Sequence, residues 1–561
     1  MSRRNRNRRD GNSEKPETSV PGTQEQQTTS GGNDKDTKCP KCGTMHSASN
    51  DPEWYAQDPA LITAAGNIPF SKPFGSDVQW FGGENRSFGP IENRVTSSKF
   101  VARPIPGVCS LKIKPSFPAG FAMTTPLNVA ANSLYTFVRY VNSGRKNYDP
   151  ADLFMYVAAF GELYAFIQWC ERLYHYAFMY SQNNWYMGAE MIRMNGVKPE
   201  EIIQNLANFR YWLNSIINKV ASFAVPANIR YFQRRVFMFS GYYIENPYGN
   251  MKDALYQFVP DGFFKFKLDD NGFGMLEYSK MDTVATFNQI TWYFDGLMQY
   301  ITGDEDFGLM SGDILKAYGT NIITLAPLAE EGGILPIYDP YVLSQFKNAV
   351  VVPITTGKKW KNPGLPNQTF LTGCLMQSNN GNLVYADILD PVKELTDSEY
   401  SVAGLADIYL DVENPNPGVA DVIEATRLIS HHGPIQVLDA ESATQHDFTA
   451  WSGGTELVVA IMSAYHPTVP IVASATFTSN YHPSGYFEIE DYAKLAQFKY
   501  APFQIVYKTE PGVQEGIRDV TEMCVLSNTE NLTFITNEML VRLHEVALLS
   551  LFFVPGVAKL A

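Results

Sequence analysis

At 561 residues and 62.8 kDa the chain is long enough for roughly two or three domains with sizeable cores. Its hydrophobic content of 45%, with aromatic residues making up 13% of the chain, excludes a wholly disordered protein, and six cysteines over that length exclude a disulfide scaffold and make a reducing compartment the default. The net charge of −14 is unevenly spread: residues 1–50 hold nine Lys/Arg against six Asp/Glu, leaving 35 against 52 for the rest, so a basic arm precedes an acidic body.

The arm opens with SRRNRNRRD, in which Arg3, Arg4, Arg6, Arg8 and Arg9 precede the first acid, Asp10. Residues 1 to about 50 are so poor in apolar side chains that burial cannot offset their ordering entropy, which predicts disorder. No apolar run follows the arginines, as a secretory signal would require. At residues 38–46 the arm reads KCPKCGTMH. Cys-x-x-Cys-Gly is one knuckle of a zinc ribbon, because the tight turn aims two thiolates at one tetrahedral metal. Cys39, Cys42 and His46 make three ligands where a closed site needs four. The other cysteines, Cys109, Cys170, Cys374 and Cys524, stand alone. Either Asp51 or Glu53 completes the site, or another chain does, or the motif is an inert thiol pair in a mobile tail.

The next forty or so residues alternate aromatics with prolines, as in DPEWYAQDPALITAAGNIPFSKPFG, which predicts an extended arm lying across a surface. Three long helices follow. The first starts at Pro126 and ends at Gly144; the second has Asp149 as N-cap and Pro150 in its first turn; the third, KPEEIIQNLANFRYWLNSIINKVASF, places Glu200 and Glu201 at its positive end. All three are apolar on more than one face, which implies a thick helical layer. The two most apolar windows, 151–180 and 537–554, contain Asp152, Glu162, Glu171 and Arg172, and Arg542, His544 and Glu545, and read as soluble helices rather than membrane spans.

FFKFKLDDNGFGMLEYSK alternates around Asn-Gly and predicts a hairpin with Asp269 and Asp270 in its turn. DFGLMSGDILKAYG predicts a short helix capped near Ser311 or Asp313 and closed by Gly319. Between about 345 and 520, runs such as AVVVPI, ELVVAIM and QIVYKT separated by Pro, Gly and Asn predict short strands, and TNEMLVRLHEVALLSLFF predicts a final helix returning to the helical layer. The resulting class is α+β: an arm over 1–55, a mainly helical domain with an extended N-terminal segment over 56–345, a β-rich domain over 346–525, and a C-terminal helix in 526–561.

The chain contains no GxGxxG opening a helix, no GxxxxGK[ST], no GxSxG and no HExxH. TTGKKW lacks the loop glycine and hydroxyl of a phosphate cradle, so Lys358 and Lys359 read as a solvated turn. A metal or acid-base cluster can be drawn from His431, His432, His446 and Asp447, but nothing in their spacing forces one, and loop or strand-end histidines are the simpler account. Cys170, beside Trp169, reads as a core residue. The chain is therefore read as non-enzymatic.

An arginine arm on an acidic body holds phosphates by charge without reading sequence, while the body repels nucleic acid. With five arginines engaged, the salt slope on duplex is at most about −4.5, so one arm binds weakly and many arms displayed on one surface bind strongly. Such a design fits a self-assembling container.

The stretches PGVCSLKIKPS, LNVAANSLYTFVRYVNSGRKNYDPADLFMY, LANFRYWLNSIINK, FGLMSGDILKAYG and VIEATRL resemble the capsid proteins of picobirnaviruses, small viruses with double-stranded RNA genomes. The resemblance is good over about residues 60–350 and looser beyond. It implies a helical shell domain, a β-rich projecting domain, domain-exchanged dimers that close an icosahedral shell in the virion after assembly in the host cytoplasm, and an N-terminal peptide that contacts RNA and is removed by the capsid protein's own cleavage. Only the arginine arm carries over residue by residue. The Cys39–Cys42–His46 knuckle departs from the family pattern, so zinc is an open cofactor here. The junction SASNDPEWY holds the cleavage candidate: the bond between Asn50 and Asp51, where an asparagine side chain can attack its own carbonyl, beside the acid-labile type of bond Asp51–Pro52. Host and receptor are not legible. The competing reading is a non-catalytic nucleic-acid-associated interaction protein that uses the same arm and knuckle.

Overall fold

Proline and acidic side chains fix where several of the helices start. In the computed structural model, which describes residues 59–67, 77–79, 102–104, 107–142, 148–179, 187–246, 254–269, 272–352, 359–362, 365–388, 408–442, 444–464, 471–473, 477–479, 498–502, 504–511, 518–526 and 529–554, the chain forms two compact units, 1–71 and 72–561. The arginines, the cysteine knuckle and the Asn50–Asp51 bond lie outside the described residues.

In the first unit the segment expected to be extended contains a helix, α1 (Pro59–Gly66). It begins at the proline that opens PALITAAG, which is pre-set for a first turn, and Thr63 donates its hydroxyl to the Pro59 carbonyl at 2.8 Å. None of its residues is buried, Leu61 and Ile62 included.

The second unit is α+β. After the short pair β1 (Asp77–Gln79) and β2 (Ala102–Pro104) come β3 (Val108–Pro115), α2 (Pro126–Val141) and α3 (Pro150–Tyr176). Asp152 accepts the Asp149 backbone N–H at 2.8 Å, which satisfies a donor at the open end of α3. At 1.5 Å per residue α3 is about 40 Å long. It is apolar enough and long enough to cross a membrane, yet 22 of its 27 residues are buried among other elements, so it is the core helix of the fold.

The third expected helix is two. α4 (Met187–Met194) is followed by α5 (Pro199–Ile203) and α6 (Leu206–Val220). Asn205 lies between the last two with φ −119° and ψ 23°, and its side chain donates to the Glu201 carbonyl at 2.9 Å, closing one helix as the next begins. α7 (Arg230–Ser240), β4 (Tyr243–Ile244) and β5 (Leu255–Pro260) lead to the predicted hairpin, β6 (Gly262–Leu268) and β7 (Gly274–Lys280). Asp269 accepts the Phe273 N–H at 2.8 Å in its turn, and Gly272 takes the required φ of 85°.

α8 (Phe287–Met298), α9 (Glu305–Tyr318) and α10 (Pro340–Lys347) complete the helical layer. α9 starts earlier than its sequence suggests. Asp304 caps it, accepting from Asp306 N at 2.8 Å, while Ser311 and Asp313 fall mid-helix, where Ser311 accepts Ala224 N and Asp313 accepts the Tyr148 hydroxyl. Gly319 closes α9 at φ 57° as predicted.

The remaining strands are β8 (Lys359–Asn362), β9 (Leu365–Leu371), β10 (Leu375–Gln377), β11 (Leu383–Val384), β12 (Asp387–Ile388), β13 (Ile408–Asp411), β14 (His431–Asp439), β15 (Gln445–Ser452), β16 (Glu456–Ala464), β17 (Ile471–Ala473), β18 (Phe477–Ser479), β19 (Gln504–Pro511), β20 (Arg518–Leu526) and β21 (Leu532–Ile535). Strands from both sides of residue 345 share sheets. The order β17-β16-β3-β5-β4 lays late strands beside early ones, with β3 and β5 parallel across the α2–α7 crossover. The hairpin extends to β11-β10-β7-β6 in the same way, while β12-β15-β14-β8-β9 is built from late strands alone. A short helix, Val419–Ala425, leads into β14. The C-terminal helix, Asn537–Leu551, returns to the core: Phe552 stacks on Tyr231 and tilts against Phe154, both at 4.7 Å between centroids.

Candidate functional site

The described residues contain no His/Cys/Asp/Glu group of three or more that could hold a metal. His446 and Asp447 follow one another in β15, so their side chains leave opposite faces of the sheet and do not act together. The His446 ring stacks on Phe448 at 5.5 Å, a packing role. His431 and His432 open β14, and Cys109, Cys170 and Cys374 are buried thiols. Burial pushes Cys374 up to about 11, far from a nucleophilic thiolate at neutral pH.

What the structure does bring together is a set of buried charged junctions that join segments far apart in sequence. Glu162, set in the apolar run AAFGELYAF of α3, pairs with Arg235 of α7 at 2.9 Å and accepts the Phe264 N–H of β6 at 3.2 Å. Arg235 also approaches Glu456 of β16 at 3.8 Å, and Arg234 reaches the same carboxylate at 3.2 Å. Arg427, which follows the short helix, donates to Thr455 at 3.3 Å, and its guanidinium lies so close over Gly454 that a Cβ there would sit 2.6 Å from it. The two carboxylates respond differently to one environment. Burial raises Glu162, which Arg235 only partly offsets, whereas at Glu456 the guanidiniums of Arg234, Arg427 and Arg235 outweigh burial and hold the carboxyl below its ordinary range. Burial and the neighbouring Arg234 bring Arg427 down to about 10.

A second junction pairs Lys114 of β3 with Asp387 of β12 at 2.6 Å, both wholly buried, and Tyr385 and Ser116 donate hydroxyls to the same carboxylate at 2.6 and 3.1 Å. A third pairs Lys347 of α10 with Asp411 of β13 at 2.5 Å; Asn348 bridges the Asp411 backbone in both directions at 2.8 Å, and Asp411 also accepts Glu530 N at 3.0 Å. Each junction fixes one relative placement of its segments, since moving either partner leaves a buried charge unpaired. Sequence reasoning missed them; the visible signals were Glu162 inside an apolar helix and the Arg234–Arg235 doublet.

The outward surface carries large apolar side chains on several helices: Tyr140 on α2, Tyr211 on α6, Trp292 on α8, and Val546 and Leu549 on the C-terminal helix. The last two, with Asn228, Arg230, Ser550 and Phe553, line a groove of 420 Å³ against the start of α7. Exposed Trp and Tyr on these helices are the residue types enriched in protein–protein contact surfaces.

Comparison with known proteins agrees with this reading. The picobirnavirus capsid protein family model matches residues 54–459. The capsid protein precursor of a human picobirnavirus is 27% identical over 526 residues, covering 91% of this chain and 92% of its own length. The X-ray structure of the picobirnavirus capsid is 20% identical and has the same fold, with a TM-score of 0.70 over 90% of this chain and 99% of that one. A family match over more than two thirds of the chain makes this protein a member of the picobirnavirus capsid protein family, a structural protein of the virion.

Proposed function

We propose that the chain assembles through dimers into a closed shell around double-stranded RNA, with Arg3, Arg4, Arg6, Arg8 and Arg9 holding the RNA by charge and the β-rich segment projecting outward. Membership of a capsid family is the observation that carries this reading, and the charge division adds to it: residues 1–50 are net basic while the remainder holds 35 Lys/Arg against 52 Asp/Glu. Five arm charges per chain fall far short of neutralising a packed genome, so the arms localise RNA during assembly and mobile cations do most of the neutralising. The buried junctions support the reading physically, because a shell needs subunits of one fixed shape, and paired buried charges penalise any other arrangement.

The test is sedimentation of the full-length recombinant protein, with absorbance at two wavelengths to detect nucleic acid. A fast, uniform boundary carrying RNA is expected; a slow boundary of monomer or dimer under assembly conditions overturns the container and favours an interaction platform. Zinc assayed on the same fractions separates the metal site from the inert thiol pair at Cys39, Cys42 and His46. The intact mass of the assembled protein tests cleavage between Asn50 and Asp51, since an N terminus elsewhere removes that bond from consideration.

A further inference from the structure

Two imidazoles in direct contact join the C-terminal helix to the β-rich layer. His431 Nδ1, at the start of β14, lies 2.9 Å from His544 Nδ1, and His544 Nε2 lies 3.0 Å from the Thr426 carbonyl oxygen. One tautomer satisfies all of these atoms. A carbonyl only accepts, so His544 Nε2 carries the hydrogen; His544 Nδ1 is then the bare acceptor, and His431 donates to it from Nδ1. Both rings are buried and neutral in this arrangement. A few residues away Asn537 clamps the His432 backbone, accepting its N–H at 3.1 Å and donating to its carbonyl at 2.8 Å, and this clamp does not titrate.

The surroundings give a proton no welcome. A first added proton is shared along the Nδ1···Nδ1 line, with the other His431 hydrogen on Nε2, but it places a positive charge in a buried site; a second proton sets N–H against N–H and abolishes the contact. The groups that face the pair are Arg427, beside His544; His432, next to His431 and itself held down by burial; and Glu456, a carboxylate already shared among three guanidiniums. We propose that the His431–His544 contact is an acid-sensitive latch, which holds the C-terminal helix on β14 at neutral pH and lets it go when a proton enters the pair.

Burial pushes His431 down to about 4, and burial, Arg427 and His431 together push His544 down to about 3. The closed form therefore binds fewer protons than the open one. Its stability is full above the free-imidazole value of about 6.5 and is lost as the pH falls from there toward the lowered values. At pH 4.5, release of one imidazole favours opening by roughly 60- to 75-fold relative to pH 7, and release of both by up to about 4,000-fold. The latch belongs to the folded chain itself, so it stands or falls independently of shell assembly.

Hydrogen exchange of the unassembled full-length protein, corrected for the intrinsic pH dependence of exchange, is the test. In the native sequence the opening of Asn537–Leu551 should increase at least about 50-fold between pH 7 and 4.5, and the increase should be largely lost in H431N/H544Q, whose side chains hydrogen-bond without titrating. An equal increase in both proteins, or none in the native one, overturns the latch. Should the double variant fail to fold, carbon-13 histidine spectra of the native protein decide the matter: at least two of its eight imidazoles should stay neutral at pH 5.5, and eight midpoints all above about 6 would overturn the proposal.

Discussion

Replacing Asp387 by alanine tests whether the buried junctions hold the late strands to the helical body. Lys114 and Asp387 expose 1% and 0% of their side chains, so the variant strands an ammonium in a site walled by aromatic rings, 4.9 Å from the Tyr278 centroid and 5.6 Å from that of Tyr385. Removing one partner of such a pair costs about 3–5 kcal/mol, because the remaining charge has lost its Coulombic compensation without regaining water. Tyr385 and Ser116 also lose their shared acceptor. Replacing both partners, as in K114M/D387L, removes the stranded charge and should fall within about 2 kcal/mol of the native protein, the residue coming from those two hydroxyls. Urea unfolding of the dissociated protein, read by tryptophan fluorescence on all members of the cycle, gives the coupling between the two sites. A loss below about 1 kcal/mol for D387A, or a double variant no more stable than the single, would refute the argument that this pair locks β3 to β12.

G188A places a Cβ 2.4 Å from the Tyr176 carbonyl oxygen and 3.1 Å from that of Met179, both backbone atoms that cannot swing away, and should cost about 1–3 kcal/mol in the same urea assay. F552A empties the contact that Tyr231 and Phe154 make with the C-terminal helix and should cost about 3–5 kcal/mol, with faster hydrogen exchange in Asn537–Leu551 as its local signature. D304A removes the cap of α9 and should lower stability by about 1 kcal/mol, whereas S311A should leave the start of that helix unchanged in exchange experiments. Deleting residues 2–10 should flatten the salt dependence of duplex RNA binding by up to about 4.5 in log–log slope, measured by titration across potassium chloride concentrations.

Local chemistry was legible in the sequence. Pro126, Asp149–Pro150 and Gly319 marked helix ends because proline, acidic caps and glycine act within one turn of backbone, and Asn-Gly marked the β6–β7 hairpin for the same reason. The apolar span of α3 marked the core, since a helix without a polar face has to be enclosed. The resemblance to picobirnavirus capsid proteins was legible too, carried by long ungapped runs such as that from Leu127 to Tyr156. Errors fell where two local signals compete. Asn205 reads as an acceptable helix residue yet closes α5 by bonding to Glu201, and Ser311 looks like a cap although Asp304, six residues into a loop-like stretch, takes that role.

Partnership across the chain was decided only by the tertiary structure. Nothing near Glu162 in sequence announces Arg235 and Glu456, nothing near Lys114 announces Asp387, and His431 and His544 stand 113 residues apart before the fold brings their rings to 2.9 Å. A strand's own residues specify which face it buries but not its neighbour, so the placement of β16 beside β3 had to wait for the sheet. The physical reason is one of range: caps, turns and periodicity act over a few residues, while a buried charge is satisfied by whichever opposite charge the packing delivers to it.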